Sequence, residues 1–150
     1  EAMKDWATQV YAAKWILKQL DEKVPTKVPL IVEEASRIFR RLTRGQYTKI
    51  HLSDTQAKVQ QENGQWMEAF YLSKGALDQL YIAIRFAFIF QLAKKMKIPV
   101  LIDDGFVNFD RERLSIMIEL MEELSRVTQV FYFTTEVPTE ISKENILKLS

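Results

Sequence analysis

The chain has 150 residues and a mass of 17.6 kDa, the size of one ordinary domain. With 47% hydrophobic and 27% charged residues it has the composition of a soluble globular chain, not a disordered one. Lys plus Arg number 21 and Asp plus Glu 20, and a net charge of +1 excludes a uniformly basic nucleic-acid module, leaving only local patches to consider. There are no cysteines, which removes disulfides, zinc ribbons and thiol catalysis together and fits a reducing cytoplasm. A single histidine, His51, excludes a multi-histidine metal site and argues against a His-based triad. The chain starts at Glu1, so it reads as a piece of a longer protein, and no signal peptide precedes the first pattern.

In chain order, residues 2–22 read as a helix with Trp6, Val10, Ala13, Leu17 and Leu20 on one stripe. Pro25 and Pro29 break it. Residues 30–43 read as a second helix with Ile31, Ala35, Ile38, Phe39 and Leu42 inward, ended by a glycine cap at Gly45. Residues 47–52 alternate as a strand, 57–61 do so more weakly, Asn63-Gly64 marks a tight hairpin and 66–69 form the returning strand. Residues 75–97 read as a long helix of about 33 Å, apolar on most sides and expected at the centre of a fold. Its most apolar stretch, residues 80–90, is shorter than the ~18 residues of a membrane span. Residues 98–102 are a continuous apolar run, as in a buried parallel strand, followed by a helix over 110–126 and a second run at 129–133. In that helix Leu114, Met117, Ile118, Met121 and Leu124 face inward, and residues 146–149 read as a last edge strand. The character changes near Phe70, from helix plus hairpin to helix–strand–helix–strand with right-handed crossovers, in halves expected to pack as one unit.

Three motifs carry chemistry. Leu72-Ser73-Lys74-Gly75 opens the long helix, with Ser73 as N-cap and free N–H groups suited to a phosphate, or simply as a helix cap. Pro99-Val100-Leu101-Ile102-Asp103-Asp104 places adjacent carboxylates at the carboxyl end of a strand, where α/β sheets bind ligands. Neighbouring strand residues point to opposite faces, so one acid suits a hydrated Mg²⁺ and the other a water; the plain alternative is a polar strand boundary. Phe106-Val107-Asn108-Phe109-Asp110 follows, and Asp110 serves equally well as a cap for the next helix.

As an ordered set these motifs resemble the C-terminal lobe of an ABC-type ATPase head of the chromosome-maintenance (SMC) and break-repair superfamily, nearest to its YhaN-like branch. Residues 72–75 and the helix from Gln79 to Ala87 resemble the signature motif, Val100 to Asp104 the Walker B strand, and Phe106 to Asp110 the D-loop. Ala35 to Tyr47 is similar to the stretch where a returning coiled coil enters the head, and the likeness spans residues 28–136. It implies an α/β fold, the C-terminal lobe of a P-loop NTPase head. Parallel strands with flanking helices are joined by a small β-hairpin region, with the end of a coiled-coil or linker helix over 1–27 and the lobe over 28–150. It also implies ATP and Mg²⁺, with Asp103 holding the metal through water and Asp104 polarising the attacking water. Ser73, Lys74 and Gly75 would contact a nucleotide held mainly by a second head, and Asn108 and Asp110 would help join the heads. The implied partners are an N-terminal Walker A lobe, a second head, DNA and a nuclease subunit, in the cytoplasm and without a membrane.

The sequence departs from that pattern in places. The second acid is Asp104 where Glu is commoner, Gly105 stands where proline is frequent, and Thr135 occupies the switch-histidine position. No G-x-x-x-x-G-K-[ST] occurs in these 150 residues, so the piece is expected to fold yet bind ATP weakly. Arg37, Arg40, Arg41, Arg44 and Lys49 form a basic cluster, a solvated helix face or a DNA contact through Arg40, Arg41 and Arg44. Arg85 interrupts an apolar helix and is expected to pair with an acid of the missing N-terminal lobe, and Trp6, Trp15 and Trp66 read as packing residues.

Overall fold

The computed structural model describes residues 28–53, 56–103, 105–106, 109–135, 139 and 141–147. The expected helix over 2–22, Asp104, Asn108 and the end of the expected last strand lie outside the described residues. The chain divides into two compact units, Glu1–Gln91 and Leu92–Ser150. The boundary therefore falls inside the long helix and not near Phe70, because most of that helix belongs with the hairpin that leads into it.

The first unit contains α1 (Val28–Leu42), the strands β1 (Tyr47–Leu52), β2 (Ala57–Gln61) and β3 (Trp66–Glu68), and a 3-10 turn, Ala69–Tyr71. The helix α2 (Lys74–Ala93) follows. The three strands form an antiparallel sheet in the order β1-β2-β3. Ile31, Ala35, Ile38, Phe39 and Leu42 of α1 are buried, the stripe expected from their spacing, and Phe39 stacks on Tyr47 with ring centroids 5.3 Å apart. Gly45 ends the helix at φ 85°, a left-handed conformation that glycine adopts at little cost, and its N–H reaches back to Arg40 C=O at 2.8 Å. The Asn63-Gly64 turn closes the hairpin, with Gly64 at φ 84° and Gln65 N–H donating to Asn63 Oδ1.

Two hydroxyls fasten β1 to α1. Ser36 Oγ accepts from Ile50 N–H at 2.9 Å while donating to Val32 C=O at 2.7 Å. Thr43 Oγ1 accepts from Tyr47 N–H at 3.3 Å and donates to Phe39 C=O at 2.8 Å. The outer edge of β1 is thereby covered by a helix instead of being left as a template for another strand.

The helix α2 is less enclosed than its composition suggests. Ala76, Gln79, Leu80, Ala83, Phe86, Ala87 and Phe90 are buried along one stripe, whereas Leu77, Tyr81, Ile84 and Phe88 are half-buried. Arg85 is exposed within this chain, and its guanidinium lies 5.2 Å from the centroid of the Tyr81 ring, one helical turn away. At 20 residues, α2 is long and apolar enough to cross a membrane by length and composition alone.

In the second unit β4 (Val100–Asp103) and β5 (Val130–Phe133) pair in parallel, from Val100 opposite Val130 to Asp103 opposite Phe133. The helix α3 (Arg111–Ser125) makes the crossover between them. It buries Met117, Ile118, Leu120, Met121 and Leu124 and packs on β5, with Leu114 only half-buried. β4 starts at Val100 and not at Ile98. Pro99 lacks an N–H, and Ile98 C=O is taken by Thr128 Oγ1 at 2.7 Å. One face of this strand pair is open in the chain, since Leu101 is 66% exposed and Phe131 and Phe133 are exposed beside it. Ile146 and Leu147 are not in a strand; a 3-10 turn, Lys143–Asn145, precedes them.

The Ser36 clasp yields a test. Replacing Ser36 by Ala strands the Ile50 N–H in a part-buried position, and the loss should be about 1–2 kcal/mol. Urea denaturation of the chain should show the lowered midpoint, with faster amide exchange at Ile50, while Arg37→Ala on the exposed face should change stability by about 0.5 kcal/mol or less.

Candidate functional site

The candidate residues fall in both units. In the first unit the turn after β3 delivers Ser73 to the start of α2. Ser73 C=O accepts from Leu77 N–H at 2.9 Å and Ser73 Oγ accepts from Ala76 N–H at 3.2 Å, which makes Ser73 the N-cap. The cap leaves the hydroxyl proton free to donate. Among the described residues, the N–H groups of Lys74 and Gly75 have no acceptor, as the geometry of a first helical turn requires. Ser73, Lys74 and Gly75 are exposed, and a Cβ added at Gly75 would meet nothing within 4 Å. The start of α2 thus presents two unsatisfied N–H donors, a hydroxyl donor and the positive end of a helix dipole to open space, donors that suit a phosphate oxygen. Gln79, 5% exposed, keeps its Oε1 without a partner among the described residues. A glutamine on the stripe of Ala76, Leu80 and Ala83 is the sequence signal for it.

Parallel pairing in the second unit puts the ends of β4 and β5 at one edge. Asp103 is the last residue of β4 and is exposed, opposite Phe133, and Thr135 follows β5 at that same carboxyl edge, also exposed. Asp103 shares its face with Leu101, Phe131 and Phe133. Phe106 is buried and fastens the loop after β4, its ring 5.7 Å from that of Tyr132 and 5.8 Å from that of Phe109. Asp110 caps α3. Its Oδ1 accepts from Arg113 N–H at 2.8 Å, and its Oδ2 is ion-paired with Arg113 Nη1. The plainer reading of Asp110 is therefore observed, with both carboxylate oxygens engaged.

No three His, Asp or Glu side chains gather into a metal cage among the described residues. Asp103, an exposed carboxylate at a strand end, suits Mg²⁺, which keeps its waters and takes one or two carboxylates together with phosphate oxygens.

Arg40 and Arg41 line a furrow of about 740 Å³ between α1 and β1, together with Val32, Lys49, Ile50 and His51. Arg44 is not among its lining residues and sits at φ 55° past the end of α1. Arg37 is paired with Glu34 at 2.7 Å. Trp66 is half-exposed and meets His51 edge-on at 6.2 Å, so it is less a packing residue than expected.

No protein-family profile matches the chain. Over 137 residues, 89% of its length, it is 36% identical to the uncharacterized protein YhaN of Bacillus subtilis (strain 168), and it spans only 14% of that protein. Among solved structures it resembles one determined for the structural biochemistry of ATP-driven dimerization and DNA-stimulated activation of SMC ATPases. The TM-score is 0.57 at 18% identity, over 72% of this chain and 68% of that one. It also resembles an SMC head bound to the C-winged helix domain of ScpA, with a TM-score of 0.60 at 18% identity, over 79% of this chain and 38% of that one. The fold is that of an SMC ATPase head. The chain fits its C-terminal lobe, and within this chain Ser73 stands at the start of α2 and Asp103 at the end of β4.

The cap at Asp110 yields a test. Asp110→Ala should cost about 1 kcal/mol of stability in urea denaturation, and Asp110→Asn, whose side chain still accepts from Arg113 N–H, should cost a few tenths.

Proposed function

We propose that the chain is the signature-bearing lobe of a head that binds and hydrolyses ATP and pairs with a second head around the nucleotide. The observation that carries this reading is the open, Ser73-capped start of α2 on an SMC head fold. In this reading Ser73, Lys74 and Gly75 donate to the terminal phosphate of a nucleotide bound mainly by the opposite head. The main phosphate cradle and its lysine come from an N-terminal Walker A lobe, since the 150 residues contain no P-loop. Asp103 holds Mg²⁺ through water, and the ion supplies charge neutralisation at the phosphates. Asp104 orients and polarises the attacking water, and Asn108 and Asp110 lie along the seam between heads. A cytoplasmic role in DNA repair or chromosome maintenance follows the same likeness, with Arg40, Arg41 and Arg44 as phosphate contacts on DNA and a nuclease subunit as a further partner.

A second reading keeps the fold and gives up efficient hydrolysis, leaving a scaffold or DNA-contacting module. Thr135 favours it, because a hydroxyl stands at the end of β5 where a switch histidine would offer an imidazole. Steady-state hydrolysis by the complete protein separates the readings. An ATPase turns over ATP with Thr135 in place, whereas a scaffold binds ATP without turnover.

Three outcomes follow for the proposed chemistry. The 150-residue chain alone should give no low-micromolar ATP binding by calorimetry. In the complete protein, Asp104→Asn should slow hydrolysis about 10²–10⁴-fold and accumulate as an ATP-bound dimer in sedimentation. Ser73→Arg should remain monomeric with ATP while still binding it. Normal hydrolysis by Asp104→Asn, or normal dimerisation by Ser73→Arg, would overturn these assignments.

A further inference from the structure

The strand register of the first unit gathers one open, polar face. Lys49 of β1, Gln60 of β2 and Trp66 of β3 lie in one row across the sheet, and His51, Lys58 and Glu68 in the next but one. Residues two apart on a strand share a face. The row between them, Ile50, Val59 and Met67, turns to the other side, where Ile50 and Val59 are buried. On the open face Lys49, His51 and Glu68 are exposed, and Trp66 keeps 48% of its surface in solvent although an indole gains much by burial. The rings of Trp66 and His51 approach edge-on at 6.2 Å with planes at 80°, leaning toward each other across β2. Trp66 stands just after the hairpin turn and is held by it. Gln61 N–H donates to Gln65 C=O at 2.8 Å, and Gln60 Nε2 donates to Gly64 C=O at 3.0 Å. The indole is thus a positioned ring on an open sheet. Toward α1 this face runs into the furrow, since Lys49 and His51 line that as well, with Arg40 and Arg41 on its helix wall. Arg37 is offset by Glu34, and the charges of Arg40, Arg41, Lys49 and Lys58 outnumber those of Glu33 and Glu68 along the path.

We propose that this face binds single-stranded nucleic acid, with a base stacked on Trp66 and the phosphates running over Lys58 and Lys49 toward Arg40 in the furrow. The inference rests on the DNA contact of the proposed function and adds the strand state to it. An indole offers a flat surface to any base, and stacking needs no base-edge code. In a duplex the bases are already stacked on one another, so only a strand without its complement presents a base to a protein ring. The lysines supply the charge part, each neutralising a phosphate and releasing its counterion. Lys49 lies two strand spacings from Trp66, about 10 Å between backbones, so one short stretch of strand touches both.

The test uses the complete protein and fluorescence anisotropy with a labelled oligothymidylate and a labelled DNA duplex of equal length. The single strand should bind more tightly than the duplex. Trp66→Ala should weaken single-strand binding about tenfold or more and leave duplex binding unchanged, and Trp66→Phe should keep most of the affinity. Lys49→Ala with Lys58→Ala should flatten the slope of log K against log salt by about 1.4. Glu68→Lys should tighten binding, a gain that no folding defect produces. Oligouridylate in a parallel arm identifies the strand as RNA or DNA by which of the two binds more tightly. Unchanged single-strand binding by Trp66→Ala, an equal loss on strand and duplex, or a parent that holds the duplex as tightly as the strand would each overturn the proposal and leave the DNA contact standing. A parent that binds neither would overturn both, with the reading of the head as an ATPase untouched.

Discussion

Parallel strands cannot be joined by a tight turn, and that constraint organises the second unit. To pair β4 with β5 the chain must leave the sheet at Asp103, cross over through α3 and return beside its own start. Both strands then end at the same edge, so a carboxylate at residue 103 and a hydroxyl at residue 135, far apart in the chain, share one end of a sheet. The loop that leaves this edge is fastened by a buried ring, with Phe106 packed on Tyr132. The helix that makes the crossover is capped where it begins, at Asp110. Asp103 and Thr135 take their places from that single pairing.

The first unit solves a different problem. An antiparallel sheet of three strands has two edges, and an uncovered edge invites another strand. The helix α1 covers one of them, and the hydroxyls of Ser36 and Thr43 accept N–H groups of β1 where another strand could have accepted them. At the far side, β3 passes into a turn whose buried ends, Ala69 and Leu72, fix the direction in which α2 sets out. The start of α2 is thus aimed by the sheet, and its donors stand in open space because neither the turn nor the sheet closes over Gly75.

Capping shows why a motif alone leaves two readings of a residue. Ser73 and Asp110 are both N-caps, as their place before a helix suggests. Asp110 spends both carboxylate oxygens locally, on Arg113 N–H and on its guanidinium. Ser73 spends one lone pair and retains a donor. The difference lies in the neighbours that the helix supplies one turn on, Arg113 in one case and Ala76 in the other.

Element existence was legible in the residues. The stripe Ile31, Ala35, Ile38, Phe39, Leu42, the alternation of β1, the Asn63-Gly64 turn and the apolar run of β4 each record a local hydrogen-bonding period, and a local period is written into the chain that adopts it. The order of Ser73, Asp103 and Asp110 was legible for the same reason. Coverage was not. Which apolar residues of the strand pair stay open, Leu101 among them, could not be read from their run, and Ile146 and Leu147 looked like a strand and are none. Hydrophobicity states what a side chain would gain by burial, and only a second surface, brought up by the tertiary structure, decides whether it is buried.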